Sequence, residues 1–333
     1  MNRLRCIVPG LLASVLAMGS LAAVAQETAQ ETAQATKGDV KTWLDRMNTS
    51  VEQLNYQGTF VHVVDGNPET LKIVHRYADG VVGEKISSNA ESGREILRSQ
   101  DLVRSIFPEK RLVVIEEPER TSIPVAASLN YTEDLGKYYQ LTTFPKGSVA
   151  GRDTQVVSIR ARDEFRYGYL LWLDREYGLP LKIQVRDDTG SVIESILFTE
   201  IDVVDAIPEH ALAPSIDIEG FTWKKPAQTA VEGMRKENWD ATRLPTGFWR
   251  LDSREVLLAG SKYPVRHLVY TDGLATVSVF IAHPLSDADM PEGFSRYGST
   301  NAYSLKIDGR LATAIGEVPG RTVQGIATSL DVH

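Results

Sequence analysis

The chain has 333 residues, of which 36 are Lys or Arg and 44 are Asp or Glu, for a formal charge of −8 at neutral pH. That acidic balance excludes a general nucleic-acid binder, whose affinity comes from Lys and Arg neutralising phosphates. The length is enough for two domains, each with its own core, and a lone cysteine, Cys6, excludes a disulfide framework.

Residues 1–25 read as a cleaved export signal. Arg3 and Arg5 give a positive start, 7–17 is mostly apolar, and Ala23-Val24-Ala25 offers an A-x-A cleavage site before Gln26. Cys6 precedes the apolar run, where a lipoprotein cysteine would not stand. Losing Arg3 and Arg5 takes the charge from −8 to −10, since residues 1–25 hold no Asp or Glu. The exported chain then has no cysteine, which suits a bacterial periplasm. Residues 26–36 (QETAQETAQAT) form a polar low-complexity tail expected to be disordered.

Val40, Trp43, Leu44, Met47, Val51 and Leu54 recur at three- and four-residue spacing, so a helix with one apolar face opens the folded part. Strand patterns follow at 57–64, 70–77, 81–87, 95–99, 102–107 and 111–116. Most are joined by two to six polar, Gly or Pro residues, such as Asp65-Gly66-Asn67-Pro68 and Asp79-Gly80. Connections that short cannot carry parallel crossovers, so an antiparallel meander is expected. Residues 118–152 interrupt it with Pro124, a weak helical patch at 126–129 and the stretch 135–144. Strands resume at 155–161, 167–174, 181–186 and 192–198. About ten strands in one twisted sheet curl or close, and the concave face must be filled by side chains or a ligand.

The hairpin RYGYLLWLDREYGLPLKIQV (166–185) shows how that sheet is covered. Tyr167, Tyr169, Leu171 and Leu173 share one face, while Leu170 and Trp172 occupy the other. A strand apolar on both faces is covered on both. The hairpin therefore walls off a covering layer from a core or cavity.

Residues 205–237 contain Pro208, Pro214 and Pro226 with little periodicity, which marks a boundary. The reading is a first domain at 37–210, a linker at 211–236 and a smaller second domain at 237–333. The second domain is clearest at HLVYTDGLATVSVFIAH (267–283), two alternating strands around Asp272-Gly273. A further hairpin at 301–320 turns on Asp308-Gly309. Val323, Ile326, Ala327 and Leu330 then give a short helix face, so this domain is a small antiparallel sheet with a helix.

No constellation calls for catalysis, a metal or a cofactor. The six histidines, His62, His75, His210, His267, His283 and His333, include no HExxH or other close ligand spacing. His62 and His75 lie on neighbouring strands, and His267 and His283 at opposite ends of one hairpin. Both pairs read as packed side chains rather than ligands. GxSxG, GxGxxG and a Walker loop are absent. Ser148 reads as a turn residue and Asp187-Asp188 as a solvated turn. Glu116 and Glu117, adjacent in a strand, point to opposite faces and cannot act together.

WLDRM and LNYQGTFVH (43–47, 54–62), RYGYLLWLD with GLPLK (166–174, 178–182), DGLATVSVFI (272–281), GSTNAYS (298–304) and AIGEVPGRTVQGIATSL (314–330) resemble, in order and across both domains, the RseB/MucB family. These are periplasmic negative regulators of the envelope-stress sigma factor. The resemblance implies a mainly β fold with helices (α+β). Its large N-terminal domain would be an unclosed antiparallel β-barrel like those of the carriers LolA and LolB, with a smaller C-terminal β domain after it. It further implies that the chain binds the periplasmic part of a single-pass anti-sigma factor (RseA or MucA type) and shields it from a DegS-type protease. Lipid or lipopolysaccharide-type signals would release it, and a homodimer belongs to the same picture.

On that basis Phe60, Ile73, Leu102, Ile106, Val113, Tyr169 and Leu171 are candidates to line a lipid cavity, where each buried CH₂ contributes ~0.8 kcal/mol. Plain packing against each other and the first helix is the alternative, and a one-residue register error would reverse the facing. For the partner, following the family, Tyr270, Leu274, Val277, Val279 and Phe280 are candidate anchors, with Arg266, Arg296 and Arg310 to pair with acidic residues. An ordinary sheet core and a solvated surface would need the same residue types. Competing functions are a periplasmic lipid or lipoprotein carrier, which has no evident need of a second domain, and a hydrolase using His62 or His75.

Overall fold

The first helix, α1 (Lys37–Gln53), buries Val40, Leu44, Met47 and Val51 along one side, at the spacing its sequence requires. It is seen in a computed structural model that describes residues 37–89, 93–99, 102–116, 129, 131–225, 238–258, 263–283 and 291–332. The expected export signal and tail lie outside the described residues, as do Glu117, residues 126–128 of the helical patch, residues 226–236 of the linker and His333. Among the described residues no helix is long and apolar enough to cross a membrane.

After α1 come β1 (Asn55–Val64), β2 (Asn67–Ala78), β3 (Val81–Ser88), β4 (Glu95–Arg98), β5 (Val103–Phe107) and β6 (Leu112–Glu116), an antiparallel meander. A short helix α2 (Leu135–Tyr138) leads into β7 (Tyr139–Val149), β8 (Arg152–Ala161), β9 (Gly168–Asp174), β10 (Pro180–Arg186) and β11 (Val192–Val204). β11 returns to pair with β1, so the sheet runs β12-β6-β5-β4-β3-β2-β1-β11-β10-β9-β8-β7, with β12 at Thr222–Lys224. Its two ends, β12 and β7, do not pair with one another, so the barrel is unclosed. In this sheet two strands go beyond the sequence reading. β7 forms in the stretch expected to interrupt the sheet, and its edge carries Pro145, which an edge strand tolerates. β12 pairs in parallel with β6.

Residues 207–225 therefore pack along the large sheet and join it as a strand only at β12. Arg76 Nε donates to the Ile207 carbonyl at 3.0 Å, and Lys85 Nζ donates to the Ala213 carbonyl at 2.7 Å. Leu212 packs so closely over Gly83 that a Cβ there would lie 2.4 Å from its Cδ1. A side chain at 83 would push Leu212 aside.

The second sheet contains β14 (Trp249–Val256), β15 (Val265–Thr271), β16 (Thr276–Ile281), β17 (Gly293–Tyr297), β18 (Thr300–Ile307) and β19 (Arg310–Gly316), in the order β14-β15-β16-β19-β18-β17. Helix α3 (Gly320–Ala327) covers it with Val323, Ile326 and Ala327. A two-stranded pair, β13 (Trp239–Ala241) with β20 (Leu330–Val332), closes the end. The expected hairpins at 267–283 and 301–320 are both present. Both sheets belong to one compact unit, 35–333.

Cross-strand partners point to the same side, which assigns the faces of the large sheet. Ile73, Ile86, Ile96, Ser105 and Val114 form one row of partners across β2 to β6. Phe60 joins that side through Leu71, and Leu171 through Ile183 and Ile196. This inner face packs on α1. Ile106 and Val113 fall one residue out of the row and point to the outer face. There they form a separate cluster with Leu97 under Ile216, Ile218 and Phe221.

The α1 contact is a cavity-sensitive core. Leu44→Ala is expected to lower unfolding free energy by about 2–5 kcal/mol. Urea melts with an unchanged slope would confirm this, and a loss below 1 kcal/mol would show that α1 is only loosely packed.

Candidate functional site

The candidate lipid residues divide between two faces. Phe60, Ile73, Tyr169 and Leu171 are buried together on the inner face with Leu44 and Met47 of α1. Ile106 and Val113 are buried on the outer face. Leu102 precedes β5 and is 41% exposed. The seven residues therefore do not line one space, because the strand register separates them.

The candidate partner residues also divide. Tyr270, Val277 and Val279 are wholly buried in the core of the second sheet, and the Tyr270 hydroxyl donates to Asp240 Oδ1 at 2.9 Å. Leu274 lies in the core of the large sheet instead. Phe280 is half-buried and stacks on His267 at 4.4 Å. Arg266 is paired with Glu255, Arg296 with Asp65, and the Arg310 guanidinium lies 5.8 Å from the Trp239 ring centroid. Tyr270, Leu274, Val277 and Val279 are core residues rather than exposed anchors, whereas Phe280 is only half-buried. Alternating strand positions satisfy either role, and only burial separates them.

What the structure brings together is a polar contact between the two sheets, built at two points. At the first, the turn after β17 sits on the end of β1 and β11. Gly298 N–H donates to Asp65 Oδ2 at 3.0 Å, and Arg296 Nη2 lies 3.2 Å from Asp65 Oδ1. Ser299 donates to Glu194 Oε2 through its backbone at 3.0 Å and through its hydroxyl at 2.5 Å. His62 Nε2 lies 2.7 Å from Glu194 Oε1. Gly298 has φ +58, and a Cβ there would come within 2.8 Å of Val64, so this close approach needs glycine. Burial pushes the Glu194 carboxyl up, but the bonds from His62 and Ser299 outweigh it and leave the carboxyl below its ordinary value.

At the second point Arg166, just before β9, is fully buried. Its Nη2 donates to the Thr246 carbonyl at 2.6 Å and its Nε to Asp163 at 3.1 Å. Nη1 lies 2.9 Å from Asp272 Oδ2, an ion-pair contact whose N–H is not aligned as a hydrogen bond. The ring centroids of Tyr138, Phe248 and Tyr139 stand 4.8, 5.1 and 5.6 Å from the guanidinium. Asp272 Oδ2 also accepts from the Tyr139 hydroxyl at 2.9 Å, while Oδ1 accepts from the backbone of Leu274 and Ala275. The Asp272-Gly273 connection is thus wider than a two-residue turn, and this opening directs Leu274 into the large core.

Ser299 is wholly buried, and its Oγ is held by the Glu194 carboxylate as part of the contact between the sheets. His75 is buried, with Nδ1 2.8 Å from the Leu54 carbonyl and its ring stacked on Tyr56 at 4.7 Å. His62 and His75 do not meet. Neither do His267, 2.9 Å from Ser278 Oγ, and His283, stacked on Tyr263. Sequence reasoning missed Arg166, Glu194, Asp272 and Ser299. The one available signal was an arginine beside a strand apolar on both faces.

Comparison with known proteins agrees with this architecture. A family model of the MucB/RseB N-terminal domain matches residues 39–216, and one of the MucB/RseB C-terminal domain matches 233–331. The sigma factor AlgU regulatory protein MucB of Pseudomonas aeruginosa is 30% identical over 324 residues, covering 95% of this chain and 96% of the relative. The sigma-E factor regulatory protein RseB of Escherichia coli K12 is 26% identical, covering 86% of this chain and 89% of the relative. The crystal structure of MucB in complex with MucA(peri) aligns with a TM-score of 0.63 at 30% identity, over 89% of this chain and 99% of that one.

Removing one partner of a buried ion pair strands the other. Asp272→Ala is therefore expected to cost about 3–5 kcal/mol in denaturant unfolding, and Arg166→Met with Asp272→Leu to recover most of it. A single Asp272→Ala variant as stable as wild type would show that the pair does not hold the sheets together.

Proposed function

The chain belongs to the MucB/RseB family, and from that premise we propose that it is a periplasmic regulatory binding protein. It holds the periplasmic part of a membrane anti-sigma factor, shields it from the first cleavage and so keeps an envelope-stress sigma factor inactive. The observation that carries this reading is similarity to MucB through both sheets, MucB being a protein crystallised with MucA(peri).

Release by an amphiphile is part of the same proposal. The inner-face residues Phe60, Ile73, Tyr169 and Leu171 are packed on α1, so an acyl chain takes their space only where α1 shifts. A ligand that shifts α1 lowers partner affinity to the extent that the partner prefers α1 in place. Tenfold release corresponds to about 1.4 kcal/mol of coupling, comparable to the burial of about two CH₂ groups.

Calorimetric titration of the protein with an anti-sigma periplasmic segment, with and without an acylated lipid fragment, tests both steps. We expect saturable binding that the lipid weakens at least tenfold. Binding indifferent to lipid would remove the sensing step. A folded protein that binds lipid but no anti-sigma segment would favour a lipid carrier.

A further inference from the structure

The outer face of the large sheet changes character along its width. Over β2 to β6 it carries residues 207–225. Over β7 to β11 the described helices lie elsewhere: α1 packs on the inner face, α2 at the start of β7, and α3 on β18 and β19. The register places one row of partners on this open face, Phe144, Val156, Trp172, Lys182, Leu197 and Val61. They alternate with Leu171, Ile183 and Ile196, which point inward. Phe144 is 45% exposed and Leu197 37%, and Trp172 and Val61 are half-buried. The neighbouring row adds Leu170 and Val63, also half-buried. Among the described residues no helix covers Leu170 and Trp172, contrary to the expectation from their apolar character. The Lys182 ammonium stands 4.4 Å from the Trp172 ring centroid instead.

The charges on this face have one sign. Lys182 lies in the first row, and Arg160 and Arg186 stand two residues beyond Ser158 and Gln184 of the second, on the same side. Exposed Lys146 follows Phe144. Neither row contains Asp or Glu, although the chain as a whole carries −8. Among the described residues no carboxylate forms an ion pair with any of these four cations, and Arg186 gives Nη2 to Gln184 Oε1 at 2.8 Å. Acids stand only at the margins. Asp187, after Arg186, accepts from Thr189 and Ser191; Asp174 is paired with Arg152; Glu200 lies beyond Leu197, opposite Thr59.

We infer that this outer face of β7 to β11 is a docking surface for an anionic phospholipid bilayer. Lys and Arg are drawn to the phosphates of such a surface, and Trp and Phe beside them enter the shallow apolar layer beneath. An exposed apolar stripe ringed by unpaired cations has both parts of that chemistry. An acidic protein segment fits less well. Strands β8 to β11 are interior to the sheet, so their backbone groups are already paired and offer an extended peptide none of the hydrogen bonds that a strand edge gives. A bilayer needs none. Docking on this side leaves the inner face and α1 turned away from the lipid surface.

The inference stands whether or not the proposed anti-sigma partner binds. Flotation of the full chain with vesicles of phosphatidylglycerol and phosphatidylethanolamine, against vesicles of phosphatidylcholine, tests it. Partition onto the anionic vesicles is expected to exceed that onto the neutral ones at least tenfold, and to weaken as salt shortens the Debye length. Each cation at an anionic surface contributes about fivefold, so Arg160→Gln with Lys182→Gln should lose roughly 25-fold. Because Lys182 also lies on Trp172, Lys146→Gln with Arg160→Gln serves as the second pair and should lose a similar factor. Uptake of a soluble acylated fragment under α1, the release step proposed above, should not change in either pair. Equal partition onto both vesicles would overturn the inference, as would undiminished binding in both folded variants. A chain that bound polyglutamate through the same cations but no vesicle would overturn it in favour of an acidic protein partner.

Discussion

A fully buried guanidinium joins the two halves of this protein. Arg166 comes from the large sheet and is neutralised by Asp272 of the small one. Tyr138, Tyr139 and Phe248 stand around it. An ion removed from water this completely costs several kcal/mol unless its partner and hydrogen bonds are in place, and those partners come from both sheets. Asp272 also caps the turn that sends Leu274 into the large core. Charge neutralisation and apolar burial are therefore satisfied by the same docked arrangement, and the core of the large sheet takes in Leu274 of the small one.

This constraint changes what each layer is for. The inner face of the large sheet is covered by α1 and, beyond it, by turns of the small sheet carrying Leu274 and Ser299. The outer face is covered in part by residues 207–225, which pack on β2 to β6 and end as β12. A regulator built this way has two places where a ligand or a change of medium can act. One is the α1 contact, where in the proposed mechanism an apolar molecule would compete with Leu44 and Met47. The other is the polar seam, where Asp65 and Glu194 of the large sheet meet Arg296, Gly298 and Ser299 of the small one. The two places are linked because inner-face residues such as Tyr169 belong to the core of one and border the other.

Much of the architecture was legible in local pattern. The α1 face, the short-turn meander, the hairpins at Asp272-Gly273 and Asp308-Gly309, and the short C-terminal helix all follow from periodicity and turn chemistry, which act over a few residues. So did the reading of 166–174 as a strand apolar on both faces. The order of peptide stretches across both domains was specific enough to indicate the family.

Tertiary structure decided what local pattern leaves open. Register determines which side of a strand is the core, and a shift of one residue reverses it. That is why Ile106 and Val113 part from Phe60 and Ile73, although all four have the same apolar character. Alternation marks Tyr270, Val277 and Val279 as half-buried in something, but only the packing of α3 and β13 makes that something the protein's own core. Residues 207–225 have the composition of a linker, and only the surface of β2 to β6 gives them partners. Arg166, Asp272, Glu194 and Ser299 are far apart in the chain and ordinary in their local settings. Their roles come from low-dielectric burial and from donors supplied by the other sheet, neither of which a stretch of sequence contains.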